Sequence, residues 1–253
     1  NQGNPDLIQQ IIQFNNSQNK VEAADFRSTD KIQKRLKTEM QEIPDAEYEG
    51  GRRGGAGDAI RRRPNLLASY SVGQALAAFH GDPITAYNKK SGIWINDRLY
   101  SKYFNERTKA SHLVCTYSLV KAIETKKEEL IKKQELTTIQ SNVLSFFRKR
   151  GSIYLFTYAI SSCLEVFLDR KIPDLFSVSF GKKCSPIQAR ENWNLVIDKL
   201  LPFCTQLNTA LDNSLKNIGE IEAAINNLRS LVAATRDSNQ EIYSEFADCI
   251  EIK

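Results

Sequence analysis

The chain holds 253 residues, with 35 basic and 30 acidic side chains for a formal charge of +5, and 41% of it is hydrophobic. With 12 Gly, 7 Pro and 26% charged residues it is not collagenous, low-complexity or disordered, and a chain this long buries a core without staples. The five cysteines (Cys115, Cys163, Cys184, Cys204, Cys249) are odd in number, scattered and lack a Cys-x-x-Cys pair, which excludes a disulfide scaffold and points to reduced thiols in a cytoplasmic protein.

The chain opens on Asn1 without a Met and reads as part of a longer polypeptide. Pro5 and Asp6 punctuate a first helix with Leu7, Ile8, Ile11 and Ile12 on one face. A polar stretch follows, from Asn15 to Lys20. Ser28, Thr29 and Asp30 offer caps for a second helix carrying Ile32, Leu36, Met40 and Ile43, and Pro44 stops it. Residues 50–63 hold five glycines and five arginines against one acid, and read as a loop. A helix from Leu66 through Val72, Ala75, Leu76 and Phe79 ends at His80-Gly81, and Asp82-Pro83 starts another. Ile93-Trp94-Ile95 reads as a short extended piece, and Asn96 or Asp97 caps a helix with Leu99, Tyr100, Tyr103 and Phe104. Helical periods then cover 109–134, 137–149 and 152–169, with a break at Arg150-Gly151. No apolar run reaches the roughly 18 residues of a membrane span, and Ile153 to Leu168 reads as a buried helix.

A last long segment, 190–235, has Pro202 as a kink or junction and a heptad-like row of Cys204, Leu207, Leu211, Ser214, Ile218, Ile221, Ile225, Leu228 and Val232. Such a row packs inside the domain or forms a homodimer through the 204–232 helix. β-like patches at 45–49 and 177–180 can supply strands. The expected fold is mainly α and multi-helical, with at most a few short strands in the N-terminal third. Two regions are expected, 1–105 and 106–253.

Enzyme templates mostly fail. No phosphate-binding Gly-rich motif, nucleophile elbow or His-Glu-x-x-His is present, and no catalytic residue is assigned. Glu251-Ile252-Lys253 spells an acid-x-Lys tripeptide at the chain end, a match that chance readily supplies. His80 reads as a helix-end residue, and with His112 the only other histidine no metal site is expected. Trp94 and Trp193 read as core. The Arg/Gly segment is the strongest physical signal: guanidinium groups grip phosphate oxygens, and glycines let a ligand approach the backbone. Arg52, Arg53, Arg61, Arg62 and Arg63 read as phosphate or nucleic-acid contacts, or as a solvated basic loop. The amides from Asn15 to Asn19 cap a helix or read a polar ligand.

The order of these stretches carries a resemblance. Ile12 to Val21 is followed by Asp25, Ser28-Thr29-Asp30 and Gln33, then Tyr48-Glu49, Arg52-Arg53-Gly54 and Gln74-Ala75-Leu76-Ala77-Ala78-Phe79. This resembles the AIPR family, named for abortive infection phage resistance. The resemblance implies a bacterial or phage-associated defence protein of the cytoplasm, with a helical C-terminal region. It matches Asn16, Gln18 and Asn19 to an amide motif, with Lys20 beside it, and Tyr48, Glu49, Arg52, Arg53 and Gly54 to a second motif. Gly50 and Gly51 stand between Glu49 and the basic pair.

Joined together, amides that orient a polar ligand and arginines that neutralise its phosphates give a DNA-, RNA- or nucleotide-binding module that needs no cofactor. A second reading is part of a metal-dependent nuclease whose catalytic domain lies upstream; only then would Mg²⁺ enter, with Asp25, Asp30 and Glu49 as candidate acids. A third is a helical scaffold or sensor that binds a phage protein or self-associates.

Overall fold

The computed structural model describes Ala24 and residues 27–50 and 65–252. The first predicted helix and the amide stretch lie outside them. α1 (Lys31–Met40) starts where Asp30 leaves extended backbone and its carboxylate accepts the Ile32 N–H at 2.8 Å. Its inner face buries Gln33, Leu36 and Met40. Beyond a turn, β1 (Glu47–Tyr48) pairs in parallel with β2 (Leu66–Leu67), Glu47 opposite Leu66 and Tyr48 opposite Leu67. Parallel neighbours need a crossover connection. The arginine-rich segment therefore begins past one end of this pair, at Gly50, and rejoins at the other, at Asn65.

α2 (Ser69–Phe79) is apolar all round and buries Val72 and Ala75 through Phe79. Asp82 caps α3 (Pro83–Asn88) by accepting the Thr85 N–H at 2.9 Å, with Pro83 in the first turn. Ile93-Trp94-Ile95 is not extended but forms a single helical turn, α4 (Gly92–Ile95), with the Trp94 and Ile95 N–H groups donated to Ser91 O at 3.1 and 3.2 Å. Among the described residues the run has no strand to pair with, and a turn buries the adjacent Ile93 and Trp94 while Ile95 stays exposed. Asn96 then caps α5 (Asp97–Tyr103).

α6 (Ala110–Lys132) has 23 residues and is about 34 Å long. It is mostly buried as far as Ile123 and half-buried to exposed beyond, where Leu130 still packs on the core. α7 (Thr138–Arg148) opens with a Thr137/Gln140 capping box. Gly151, at φ +80°, turns the chain into α8 (Ser152–Ser162), and a Cβ there would lie 2.5 Å from Leu215 Cδ1. α9 (Leu164–Leu168) follows, then β3 (Val178–Ser179) and α10 (Pro186–Leu200), which a Ser185/Gln188 capping box starts.

In the segment 190–235, Pro202 marks a junction rather than a kink in one helix. Pro202 lacks an N–H and clashes with the preceding turn, so α10 passes into a 3₁₀ stretch, Leu201–Leu207, and then α11 (Asn208–Asp212). Ser214 and Leu215 take left-handed backbone at φ +54° and +56°, and α12 (Ile218–Ala234) sets off anew. The row of nine is thereby split: Ile221, Ile225, Leu228 and Val232 enter the chain's own core, whereas Ile218 is 61% exposed. α12 packs on the 3₁₀ stretch and on α8.

α13 (Gln240–Cys249) leads into β4 (Glu251–Ile252), which pairs antiparallel with β3. Glu251 and Ile252 of the acid-x-Lys tripeptide thus supply a strand pairing outside the N-terminal third. The fold is mainly α.

One hydrophobic cluster runs from Ala24 to Ile250. α6 lies along α10, and α2 packs on α3, α6 and α8. Trp94 and Trp193 are fully buried, and Trp193 donates its indole N–H to Cys115 O at 2.8 Å. All five thiols are free, and Cys115, Cys163 and Cys204 are buried. Among the described residues, no single helix is long and apolar enough to cross a membrane.

Candidate functional site

The second motif sits where β1 meets α1 and α2. Tyr48 points inward and is buried, and its hydroxyl donates to Gln33 Oε1 at 2.7 Å. Gln33 Nε2 donates in turn to the Tyr100 hydroxyl at 3.0 Å. A buried polar chain thus ties β1, α1 and α5 together with its members mutually satisfied. Burial, then the neighbouring Tyr100, pushes the Tyr48 phenol well above its ordinary pKa, so it stays neutral. The Arg27 guanidinium lies 4.4 Å above the Tyr100 ring and donates to Trp94 O at 2.9 Å.

Glu49 faces the other way. Its Oε2 accepts the Ser69 N–H at 2.8 Å, at the start of α2, which has no side-chain cap of its own. A carboxylate at that position satisfies an orphan donor and sits in the positive end of the helix dipole. Gly50 follows at φ +57°, and a Cβ there would lie 2.5 Å from Lys37 Cε and 2.7 Å from its Cγ. The lysine stem crosses the backbone at the root of the arginine-rich segment, and only glycine leaves room for it.

Of the residues singled out from the sequence, Tyr48 and Glu49 are therefore placed beside one another, one in the core and one on a helix terminus. Asn16, Gln18, Asn19, Lys20, Arg52, Arg53, Arg61, Arg62 and Arg63 lie outside the described residues, as does Asp25. Asp30 and Glu49 each accept a hydrogen bond from a helix N-terminus. Among the described residues no three His, Cys, Asp or Glu side chains gather as a metal would require.

Two features escaped the sequence reading. His80 is the C-cap of α2, as its position suggested, but it also reaches His112 on α6, with the two Nε2 atoms 3.0 Å apart. His112 Nδ1 lies 2.8 Å from Val178 O. A carbonyl can only accept, so Nδ1 of His112 carries the proton, its Nε2 accepts, and His80 donates from Nε2. Burial, then His112, lowers His80 to a pKa of about 2, and burial lowers His112 to about 4. Both rings are neutral at pH 7. The His80 ring lies against Phe176, with centroids 4.0 Å apart, and Arg107 covers that phenyl at 4.8 Å.

Phe176 also lines a cleft of about 630 Å³ between α1, the start of α6 and the β3–β4 pair. Arg107, Lys109 and Lys182 face Glu39, Glu106, Asp174 and Glu251 around it. The signs offset one another, so this cleft is no polyanion site. Only two histidines 32 positions apart hinted at the pair, and periodicity carries no record of such a meeting.

A family model described as AIPR protein matches residues 2–215, and the chain belongs to that family. No curated protein and no solved structure matches it. Membership in the AIPR family, that of abortive infection phage resistance, places the chain in phage defence.

Proposed function

We propose that this phage-defence chain is a nucleic-acid-binding module of the bacterial cytoplasm that engages phosphates through Arg52, Arg53, Arg61, Arg62 and Arg63, with Asn16, Gln18 and Asn19 orienting the bound strand. The observation that carries the reading is the charge of one short segment, five arginines against one acid in residues 50–63. The frame around it supports the reading. The described residues on either side of it, Tyr48 and Leu67, pair in parallel and are buried. Arginine suits the task because its planar fork meets phosphate bidentately and stays charged at any physiological pH.

The test is fluorescence anisotropy of labelled single- and double-stranded DNA and RNA with the wild-type chain and the Arg52→Ala/Arg53→Ala variant. If both arginines touch phosphate, the variant binds more weakly, and its log–log salt slope is flatter by about 1.5 to 2 units. An unchanged slope would remove these two residues from the site.

A further inference from the structure

Helix α1 carries three lysines whose ammonium groups make no hydrogen bond or ion pair among the described residues, although the Lys37 stem packs across Gly50. Lys31, Lys34 and Lys37 are all exposed, and among the described residues none of them pairs with a carboxylate. The residues between them hold the helix in place. Gln33 joins the buried Tyr48–Tyr100 chain. Arg35 donates to the carbonyls of Asn105, Glu106 and Thr108. Glu39, the one acid in the helix, accepts the Ala110 N–H at 2.9 Å and faces Arg35 at 3.7 Å. Glu42, just beyond the helix, pairs with Lys182. The lysines are thus left on a rigid, outward ribbon with their counter-charges turned elsewhere.

Helix stability accounts for Lys37, a cation in the last turn, but not for Lys31. Lys31 opens the helix in a first turn without any acid, where a cation opposes the helix dipole at a cost of a few tenths of a kcal/mol. Lys37 lies across Gly50, so the ribbon ends at the root of the arginine-rich segment. With steps of three residues, each lysine stands about 4.5 Å further along the axis than the last. Ammonium groups on flexible stems can follow an irregular phosphate chain at that spacing.

We propose that Lys31, Lys34 and Lys37 form a phosphate-contacting track that extends the nucleic-acid surface from the arginine-rich segment onto α1. The track binds the phosphodiester backbone without reading bases, and it rests on the nucleic-acid reading proposed above. It adds three phosphate contacts from a fixed helix.

The experiment titrates a labelled single-stranded DNA 30-mer at several salt concentrations with four full-length proteins. These are the wild type, Lys31→Gln/Lys34→Gln/Lys37→Gln, Arg52→Ala/Arg53→Ala, and a charge-matched control, Lys127→Gln/Lys132→Gln/Lys133→Gln, at the far end of α6. Glutamine keeps the helix propensity and the stem over Gly50. The track variant should flatten the slope by about 2 units, and the control should leave it unchanged. Replacing the three lysines by arginine should restore it, which separates lost charge from lost fold. A track variant that matches wild type while the arginine variant flattens overturns the track alone. Equal flattening by the control also overturns it, as a mere net-charge effect. A wild-type chain that does not bind overturns the nucleic-acid reading and the track with it.

Discussion

Acidification gives the sharpest test of the buried histidine pair. The chain has only two histidines, and both are neutral in the folded state. Burial is the main cause for each; for His80 the nearby His112, Lys102 and Arg107 add to it, whereas the Val178 carbonyl and Asp174 partly oppose it at His112. In the unfolded chain each imidazole takes up a proton near pH 6.5. Between pH 7 and 5.5 the unfolded chain therefore gains protons that the folded chain refuses, and stability falls as pH falls. A group with a lowered folded pKa and an ordinary unfolded one contributes about 1.2 kcal/mol of loss over that interval, so the pair contributes about 2.5 kcal/mol. Carboxylates titrate lower and the thiols higher, so this window isolates the two rings. The assay is urea unfolding at pH 7.0 and 5.5, followed by the fluorescence of the buried Trp94 and Trp193. His80→Phe, which keeps an aromatic ring against Phe176, should halve the pH-dependent loss. Stability that does not change across the interval, or a loss that the substitution leaves intact, would refute the buried, neutral pair.

Three further outcomes follow from single contacts. Tyr48→Phe removes the donor to Gln33 Oε1 and leaves a buried acceptor unpaired, and chemical denaturation should show a loss of about 1–3 kcal/mol. Ile225→Asp places a carboxylate at a position 3% exposed and should destabilise a monomer by more than about 3 kcal/mol, whereas Ile218→Asp, at 61% exposure, should change stability by less than about 0.5 kcal/mol. Size exclusion alongside denaturation reads both; a folded chain that Ile225→Asp merely dissociates would make the row a seam between copies. With a thiol reagent, Cys184 and Cys249 should react in the native protein, and Cys115, Cys163 and Cys204 only on unfolding. Burial pushes the Cys163 thiol up to about 12, so fast labelling there would contradict its position under α12 and α13.

Local chemistry was legible where a residue acts on its own neighbours. Asp30, Asp82 and Asn96 cap the helices that their positions announced, and the β-like patches at 45–49 and 177–180 contain β1 and β3. What failed depended on partners distant in sequence. Ile93-Trp94-Ile95 has a strand's composition, but among the described residues no partner strand lies beside it. The break at 213–217 rests on left-handed backbone at Ser214 and Leu215, neither of which is glycine, and Asn217, which caps the next helix, is the one signal for it in the sequence. Tyr48 and Glu49 look alike as polar motif residues, yet one enters the core and the other caps α2, a difference that only tertiary packing decides. The His80–His112 pairing spans two helices, and the lysines of α1 drew no notice because charged residues on a helix face are ordinarily just solvated.

The central claim is that the basic surface binds nucleic acid through its phosphates, and the most direct measurement is the salt dependence of wild-type binding to single-stranded DNA. Three to five arginine contacts predict a log–log slope of about −2 to −3.5, steepening toward about −5 if the α1 lysines join them. A slope near zero, or no binding at low salt, would contradict the account.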